Sequence, residues 1–284
     1  MTLPTEVSEQ AFFEAKLAMA KKRSATFSQY EVYRDDPEGY ITTVLKGKPW
    51  ERQSEIARSV ADNKRTLVKT GHGVGKSWEA AAIVNWWFDS RPASVVVTTA
   101  PTFRQVTAVL WREIRSQRKT QPRADIFQIR DELNPTHYAM GYTTSKNVRS
   151  DVYEAQSAQG IHAKDLLAVL DEAGGVHPAV WQSFDGMAVG QGNHILAIGN
   201  PTVGSGPFFE AARSGQWNVI TVPVFEHPNI LAALRGEEDP IPGAVSLDWL
   251  ESKLGDSRWV EEVDSAAVFV DGAEFFEFNG RTYK

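Results

Sequence analysis

Five short runs rich in valine, isoleucine and leucine punctuate this chain, and stretches of helical character separate them. The runs are RTLVKT (65–70), SVVVTT (94–99), DLLAVL (165–170), HILAIG (194–199) and WNVITVPV (217–224). Strands that are apolar without alternation are buried on both faces, as parallel strands joined by right-handed crossovers are. Helices are predicted over 8–22, 51–62 (ERQSEIARSVAD), 77–88 (SWEAAAIVNWWF), 103–118 (FRQVTAVLWREIRSQR), 207–215 (PFFEAARSG) and 246–263 (SLDWLESKLGDSRWVEEV). The pattern predicts an α/β fold with a mostly parallel central sheet flanked by helices. Residues 121–160 differ, because DIFQIR and HYAMGYTTS alternate apolar with polar positions. They read as a β insertion of half-exposed antiparallel strands hung on that sheet. Residues 33–50 read as a connecting segment and 227–244 as loop, both rich in turn residues. The final segment, 266–284, reads as a hairpin turning at Asp271-Gly272.

Composition narrows the function classes. The 284 residues are 42% hydrophobic, enough for a real core, and hold no cysteine, which excludes disulfides and thiolate chemistry. No apolar run approaches the ~20 residues that span a bilayer, so the expected compartment is cytoplasm. A net charge of −6 argues against coating nucleic acid with the whole surface. One region is basic, with Arg104, Arg112, Arg115, Arg118, Lys119, Arg123 and Arg130 against Glu113 and Asp125. Alone, it reads as a solvated helix face followed by a loop.

The first strand runs into VKTGHGVGKSWEA (68–80). Backbone N–H groups at a helix N-terminus wrap an oxyanion when side chains are absent, which Gly71, Gly73 and Gly75 provide. In this reading the loop Thr70–Ser77, with His72 and Val74, binds ATP. Lys76 reaches the β- and γ-phosphates and the Ser77 hydroxyl holds Mg2+. The strict pattern demands glycine at position 70, where Thr70 stands, and Gly71 is expected to take over the backbone freedom of the turn. The plain alternative is a glycine turn with a surface lysine. The acid pair ending LLAVLDEA weighs against it: Asp171 is placed for the metal's shell and Glu172 to deprotonate an attacking water. The strand SVVVTT intervenes in chain order, the mark of the ATPase branch (ASCE type) in which a catalytic glutamate follows the metal-binding aspartate.

Other residues carry two readings. In PWERQ, Trp50 and Gln53 either meet the adenine edge or begin a helix. Arg104 and Arg112, eight residues apart, share a helix face near the γ-phosphate, for charge neutralisation or DNA phosphates. Asn200 and Thr202 in IGNPT sense the γ-phosphate or cap a turn. His162, His177 and His194 read as local hydrogen-bonding groups, and no carboxylate cluster outside the acid pair has a two-metal nuclease pattern.

The ordered set PWERQ, KTGHGVGKS, VVVTTAPTFRQ, GIHAKDLLAVLDEA and ILAIGNPT resembles the ATPase domain of the large terminase subunit of tailed bacteriophages. The resemblance implies a P-loop motor that hydrolyses ATP with Mg2+ to drive double-stranded DNA through a portal protein into a prohead, in the host cytoplasm. Its partners would be the small terminase subunit and like copies in a ring. It implies Gln53 as the adenine-motif glutamine, Lys76 and Ser77 as phosphate and magnesium residues, and Asp171 as the second magnesium residue. Glu172 would be the base, Gly199-Asn200-Pro201 the coupling motif, and Arg112 an active-site arginine. Many members carry an arginine where this chain has His72, and another before the acid strand. Arg104 and Arg149 are the candidates here for an arginine acting in trans. The expected organisation is an N-terminal helical segment (1–45), the ATPase core (46–225) and a lid subdomain with the start of a linker (226–284). Too few residues follow for the family's nuclease domain. Two rival readings are a fragment of a superfamily-two DNA translocase or helicase, and a nucleotide-dependent DNA-binding regulator without turnover.

Overall fold

The computed structural model describes Glu14, Ala18, residues 29–142, Ile161, and residues 163–254, 262–263, 276–278 and 281–283. Arg149, His162 and the Asp271-Gly272 turn lie outside the described residues, as does the predicted 8–22 helix except at Glu14 and Ala18, which are helical.

All five apolar runs are strands of one sheet: β1 (Arg65–Thr70), β2 (Val95–Thr99), β5 (Asp165–Asp171), β6 (Gly192–Gly199) and β7 (Asn218–Val222). With β3 (Gln128–Arg130) and β4 (Tyr138–Tyr142) they make a seven-stranded sheet ordered β3-β4-β2-β5-β6-β1-β7. The strand lying between the loop strand β1 and the acid strand β5 is therefore β6, not the SVVVTT strand that intervenes in chain order. β5 is buried at every position and pairs in parallel with β2 and β6, from Val95 opposite Leu166 to Asp171 opposite Ile198. Parallel register sends the ends of β2, β5 and β6 to the same edge.

The 121–160 region joins the main sheet more intimately than alternation predicts. β3 and β4 do pair antiparallel, but β4 also runs parallel to β2, from Tyr138 opposite Val95 to Tyr142 opposite Thr99, and is buried from Ala139 onward. Gly141 makes that burial possible, since a Cβ there would meet the Trp111 Nε1 at 2.6 Å.

Two segments read as loop contain helices. α1 (Pro37–Thr43) starts at Asp36, whose carboxylate accepts from the Gly39 N–H at 2.8 Å, with proline at the first helical position. α2 (Glu51–Asp62) follows as predicted, and α3 (Lys76–Ser90) is buried at every residue from Glu79 to Ser90. The 103–118 stretch is not one α-helix. Gln105–Leu110 is π-helical, with Trp111 N donating to Val106 O, and α4 (Trp111–Gln117) continues it. α5 (Pro178–Asp185) and α6 (Pro207–Arg213) complete this part.

The basic region is absorbed into the fold only in part: Arg104, Arg112, Lys119, Arg123 and Arg130 are exposed. Arg118 is wholly buried, donating to Asp89 Oδ1 at 2.8 Å and Asn85 Oδ1 at 3.0 Å. Asp89 Oδ2 accepts from Tyr40 OH at 2.5 Å and Thr120 Oγ1 at 2.6 Å. Arg115 and Arg123 donate to backbone carbonyls of Ile126 and Arg118. Arg91 lies between Trp86 and Trp87, 4.4 and 3.8 Å from their ring centroids, and burial pushes its guanidinium down to about 10.

The chain divides into two compact units. One takes the residues up to Val68 and Ser77–Ile220; the other takes Lys69–Lys76 and the residues from Thr221. In the second, α7 (Pro228–Leu234) occupies part of the stretch read as loop. His227 Nδ1 accepts from Asn229 N at 3.2 Å and Pro228 opens the helix. α7 packs with α8 (Leu247–Leu254) around Ile230, Val245 and Leu250. The helix predicted to reach 263 does not, because Glu262–Val263 is strand β8. β9 (Phe276–Phe278) and β10 (Arg281–Tyr283) pair antiparallel, with β10 central in a small sheet.

Glu79 gives a stability prediction. It is 1% exposed and neither carboxylate oxygen has a hydrogen-bond partner. Burial first, and the Glu38 charge second, hold its carboxyl well above the usual carboxylate value of 4.5. The folded chain therefore keeps a proton that the unfolded chain releases. Stability is full below pH 4.5 and falls as pH rises toward the folded value, by about 1.4 kcal/mol per pH unit at most. Glu79→Gln should remove this slope and raise the melting temperature at pH 8 by a few degrees. Thermal unfolding from pH 5 to pH 8 checks it, and an unchanged slope in the variant would refute it.

Candidate functional site

The glycine loop is best described within its own unit. Gly73 and Gly75 have φ of 73° and 89°, left-handed conformations that glycine adopts without strain. Gly71 is not in this region. It does not supply the missing backbone freedom; its bare Cα makes room for Val224, whose Cγ2 would lie 2.1 Å from an added Cβ. Thr70 Oγ1 and Lys76 Nζ both donate to the Gly71 carbonyl, at 2.7 and 3.3 Å. Val245 N donates to Gly73 O at 3.1 Å, and the His72 ring meets the Trp249 ring edge to face at 6.3 Å. Val74 is buried. These partners come from some 150 residues further along the chain, and no local pattern announces them.

Ser77 stands in the first turn of α3, and its Oγ donates to Asp171 Oδ2 at 3.3 Å. Asp171 ends β5 at 1% exposure, and its Oδ1 accepts from the Glu172 N–H at 3.0 Å. A hydroxyl and a carboxylate oxygen converging on one point are hard oxygen ligands, a donor set that suits Mg2+. The residues predicted for the metal thus meet.

Glu172 follows with φ 48° and ψ 44°. For a residue with a Cβ this conformation costs roughly 1–3 kcal/mol, and such strain gathers at functional sites. Its turn packs on the IGNPT segment: a Cβ on Gly199 would lie 2.9 Å from Ala173 N and 3.2 Å from Gly174 N. A Cβ on Gly174 would come within 3.0 Å of Asn200 O, and one on Gly175 within 2.9 Å of Pro101 Cγ. The ends of β5 and β6 therefore approach through backbone, and the Pro101 ring after β2 packs on the same turn. Asn200 is buried, its carbonyl accepting from Thr202 N at 2.9 Å, while Pro201 is exposed.

The remaining predicted residues are placed as follows. Gln53 Oε1 accepts from Trp50 N at 3.2 Å, so this pair does begin a helix. Arg104 is exposed just before the π-helical segment. π-helical hydrogen bonding widens the turn, so eight residues do not return Arg112 to the face of Arg104. Arg112 is 67% exposed and paired at 3.5 Å with its neighbour Glu113, not with Asp171 or Glu172. His177 caps α5 by accepting from Ala179 N, and His194 Nδ1 lies 2.7 Å from Val60 O. No described cluster of three or more His, Asp or Glu side chains could hold a metal, and no described helix is long and apolar enough to cross a membrane.

A mostly parallel sheet with a glycine loop after one strand and an aspartate ending another, one strand between them, defines the P-loop NTPase fold. No family model matches the chain. In sequence it is similar to the probable large terminase subunit of Enterobacteria phage P7, 27% identical over 226 residues. That alignment takes in 76% of this chain, which spans only 42% of the length of that relative. In fold it is similar to the large terminase ATPase domain of Thermus phage P74-26, solved as an arginine-to-alanine variant, with a TM-score of 0.55. There 16% of residues are identical, and 78% of this chain and 94% of that one are covered. The resemblance to the ATPase domain of phage large terminases, read from the motifs, holds in both sequence and fold.

The loop geometry predicts a graded response to alanine. Gly243, in the same unit, has φ 77° and nothing within 4 Å of an added Cβ. Gly243→Ala should therefore lose only the strain, about 1–2 kcal/mol. Gly73→Ala has the same strain and also meets Val245 N at 3.1 Å, so it should lose more. Urea midpoints at unchanged slope measure both; equal losses would show that the Val245 contact constrains nothing.

Proposed function

We propose that this chain is the ATP-hydrolysing motor domain of a phage terminase large subunit, moving double-stranded DNA into a prohead in the host cytoplasm. The observation that carries the reading is the Ser77 hydroxyl on the Asp171 carboxylate, with Glu172 next in the chain and the glycine loop leading directly into Ser77. The likeness to a probable terminase large subunit supports the motor assignment. In this reading the portal protein and small terminase subunit are its partners, like copies form a ring around the DNA, and residues 226–284 serve as the lid and the start of a linker.

Each residue then has a task. The Gly71–Gly75 backbone and Lys76 bind the phosphates, and Lys76 Nζ exchanges its Gly71 carbonyl partner for phosphate oxygen. Ser77 and Asp171 would hold a magnesium ion, which when bound would supply charge neutralisation to the nucleotide's phosphates. The Glu172 carboxylate orients a water and accepts its proton as the γ-phosphoryl group is transferred. Gln53, already held against the Trp50 backbone, offers its amide to adenine. Gly199, Asn200 and Pro201, packed on the Glu172 turn, pass the change in phosphate occupancy onward. Arg104 and Arg112, exposed on one segment, suit a role across a ring interface better than one in their own site.

Two substitutions test the assignment. Lys76→Ala should abolish ATP binding in equilibrium titration. Glu172→Gln should bind ATP within about twofold of the parent yet hydrolyse it at least 100-fold more slowly, the usual scale of general-base loss. Unchanged affinity in the first variant, or undiminished phosphate release in the second, would refute the reading.

A further inference from the structure

Among the described residues only Lys46, Ala93 and Glu172 have positive φ without being glycine. Lys46 and Ala93 are exposed, whereas Glu172 is half-buried and begins a turn whose carbonyls and amides are gripped from several sides. Within the turn, Gly175 N donates to Glu172 O at 2.9 Å and Val176 N to Ala173 O at 3.2 Å. Behind it the Trp181 Nε1–H donates to Ala173 O at 3.1 Å. Trp181 is 6% exposed, and its ring is wedged edge-on against Trp217 at 5.8 Å and beside Phe208 at 6.3 Å. Across the turn, Gly199 approaches Ala173 N, and Pro101 faces Gly175.

We infer that Trp181 is a positioning residue for hydrolysis: its indole N–H, anchored by Phe208 and Trp217, pins the Ala173 carbonyl and so fixes the left-handed backbone that aims the Glu172 carboxylate. The inference rests on Glu172 being the water-activating base. Nothing in the motif pattern assigns Trp181 a role, because it lies nine residues downstream on another element. Its contact acts through the backbone on the far side of Glu172 from Asp171, and it touches neither the phosphate loop nor Ser77. Turnover is then the quantity it controls, and nucleotide affinity is not.

The test is Trp181→Phe in this chain, which keeps a ring against Phe208 and Trp217 and removes only the donor. Ala173 O retains Val176 N, so the carbonyl is not orphaned. Single-turnover hydrolysis should slow by 10- to 100-fold, the scale of a misplaced catalytic group, with ATP affinity within about twofold. In a Glu172→Gln background the same change should add nothing, because residues acting as a unit are not additive. Gly175→Ala, at an exposed position that would push on Pro101, supplies a second variant with the same selective loss should the first not fold. Normal turnover in both variants, a matching loss of affinity, or a loss that multiplies with Glu172→Gln would each overturn the inference. Normal turnover by Glu172→Gln alone would remove the base assignment and this inference with it. Loss in that variant with none in Trp181→Phe and Gly175→Ala removes only the positioning role.

Discussion

The carboxylate of Asp171 is the constraint from which the site follows. It sits at the end of a strand buried along its whole length and is itself 1% exposed. A charge taken so far from water is tolerated only where donors replace its hydration. Two are in place, the Ser77 hydroxyl on one oxygen and the Glu172 amide on the other. The first ties the start of α3 to the end of β5, so the helix that follows the glycine loop is held at the sheet edge by polar contact as well as by packing. The second bends the chain immediately after the strand.

The interior away from that edge is less oily than the composition implies. Arg118, Asp89, Tyr40, Thr120 and Asn85 form one buried polar network between α1, α3 and the segment after α4. Removing one partner of such a network strands the others, which costs far more than the intact pair contributes. The network ties the long buried helix α3 to the elements around it. It also takes Arg118 out of the basic surface. Arg115 is half-buried and donates to the Ile126 carbonyl, while Arg104, Arg112, Lys119, Arg123 and Arg130 are exposed.

What was legible in the chain was what local chemistry controls. The five buried strands declare themselves because parallel strands need apolar residues at successive positions, and Ser77 and Asp171 declare themselves because they flank those strands. β4 departs from the alternation read in its sequence because it lies between β2 and β3, which buries Ala139, Met140, Gly141 and Tyr142 in succession. α1 and α7 were missed because Pro37 and Pro228 looked like breakers, whereas proline at the first helical turn is favourable. The π-helical stretch at 105–110 cannot be seen by a 3.6-residue period, and with it went the expectation that Arg104 and Arg112 share a face. The partners of Gly71 and Gly73 were illegible for a different reason. Val224 and Val245 are remote in sequence, and a glycine shows that room is needed without showing for what.

That last distinction bears on Glu172. Glycine takes the left-handed conformation freely, and at Gly73 and Gly75 the chain uses it so. At position 172 the same region of backbone space is occupied by a side chain with a Cβ, at a cost glycine would avoid. The backbone alone therefore does not account for the residue; in the proposed function its carboxylate does. A strained turn persists only where its surroundings over-determine it. Here the neighbouring strand ends do so through the close approaches of Gly199 and Pro101. The same closeness that holds the turn makes it responsive, because a shift of a few tenths of an ångström at Gly199 or Asn200 has no free space to dissipate into. In the proposed function, rigidity of the turn and its coupling to the next strand are one property, set by how little room the glycines leave.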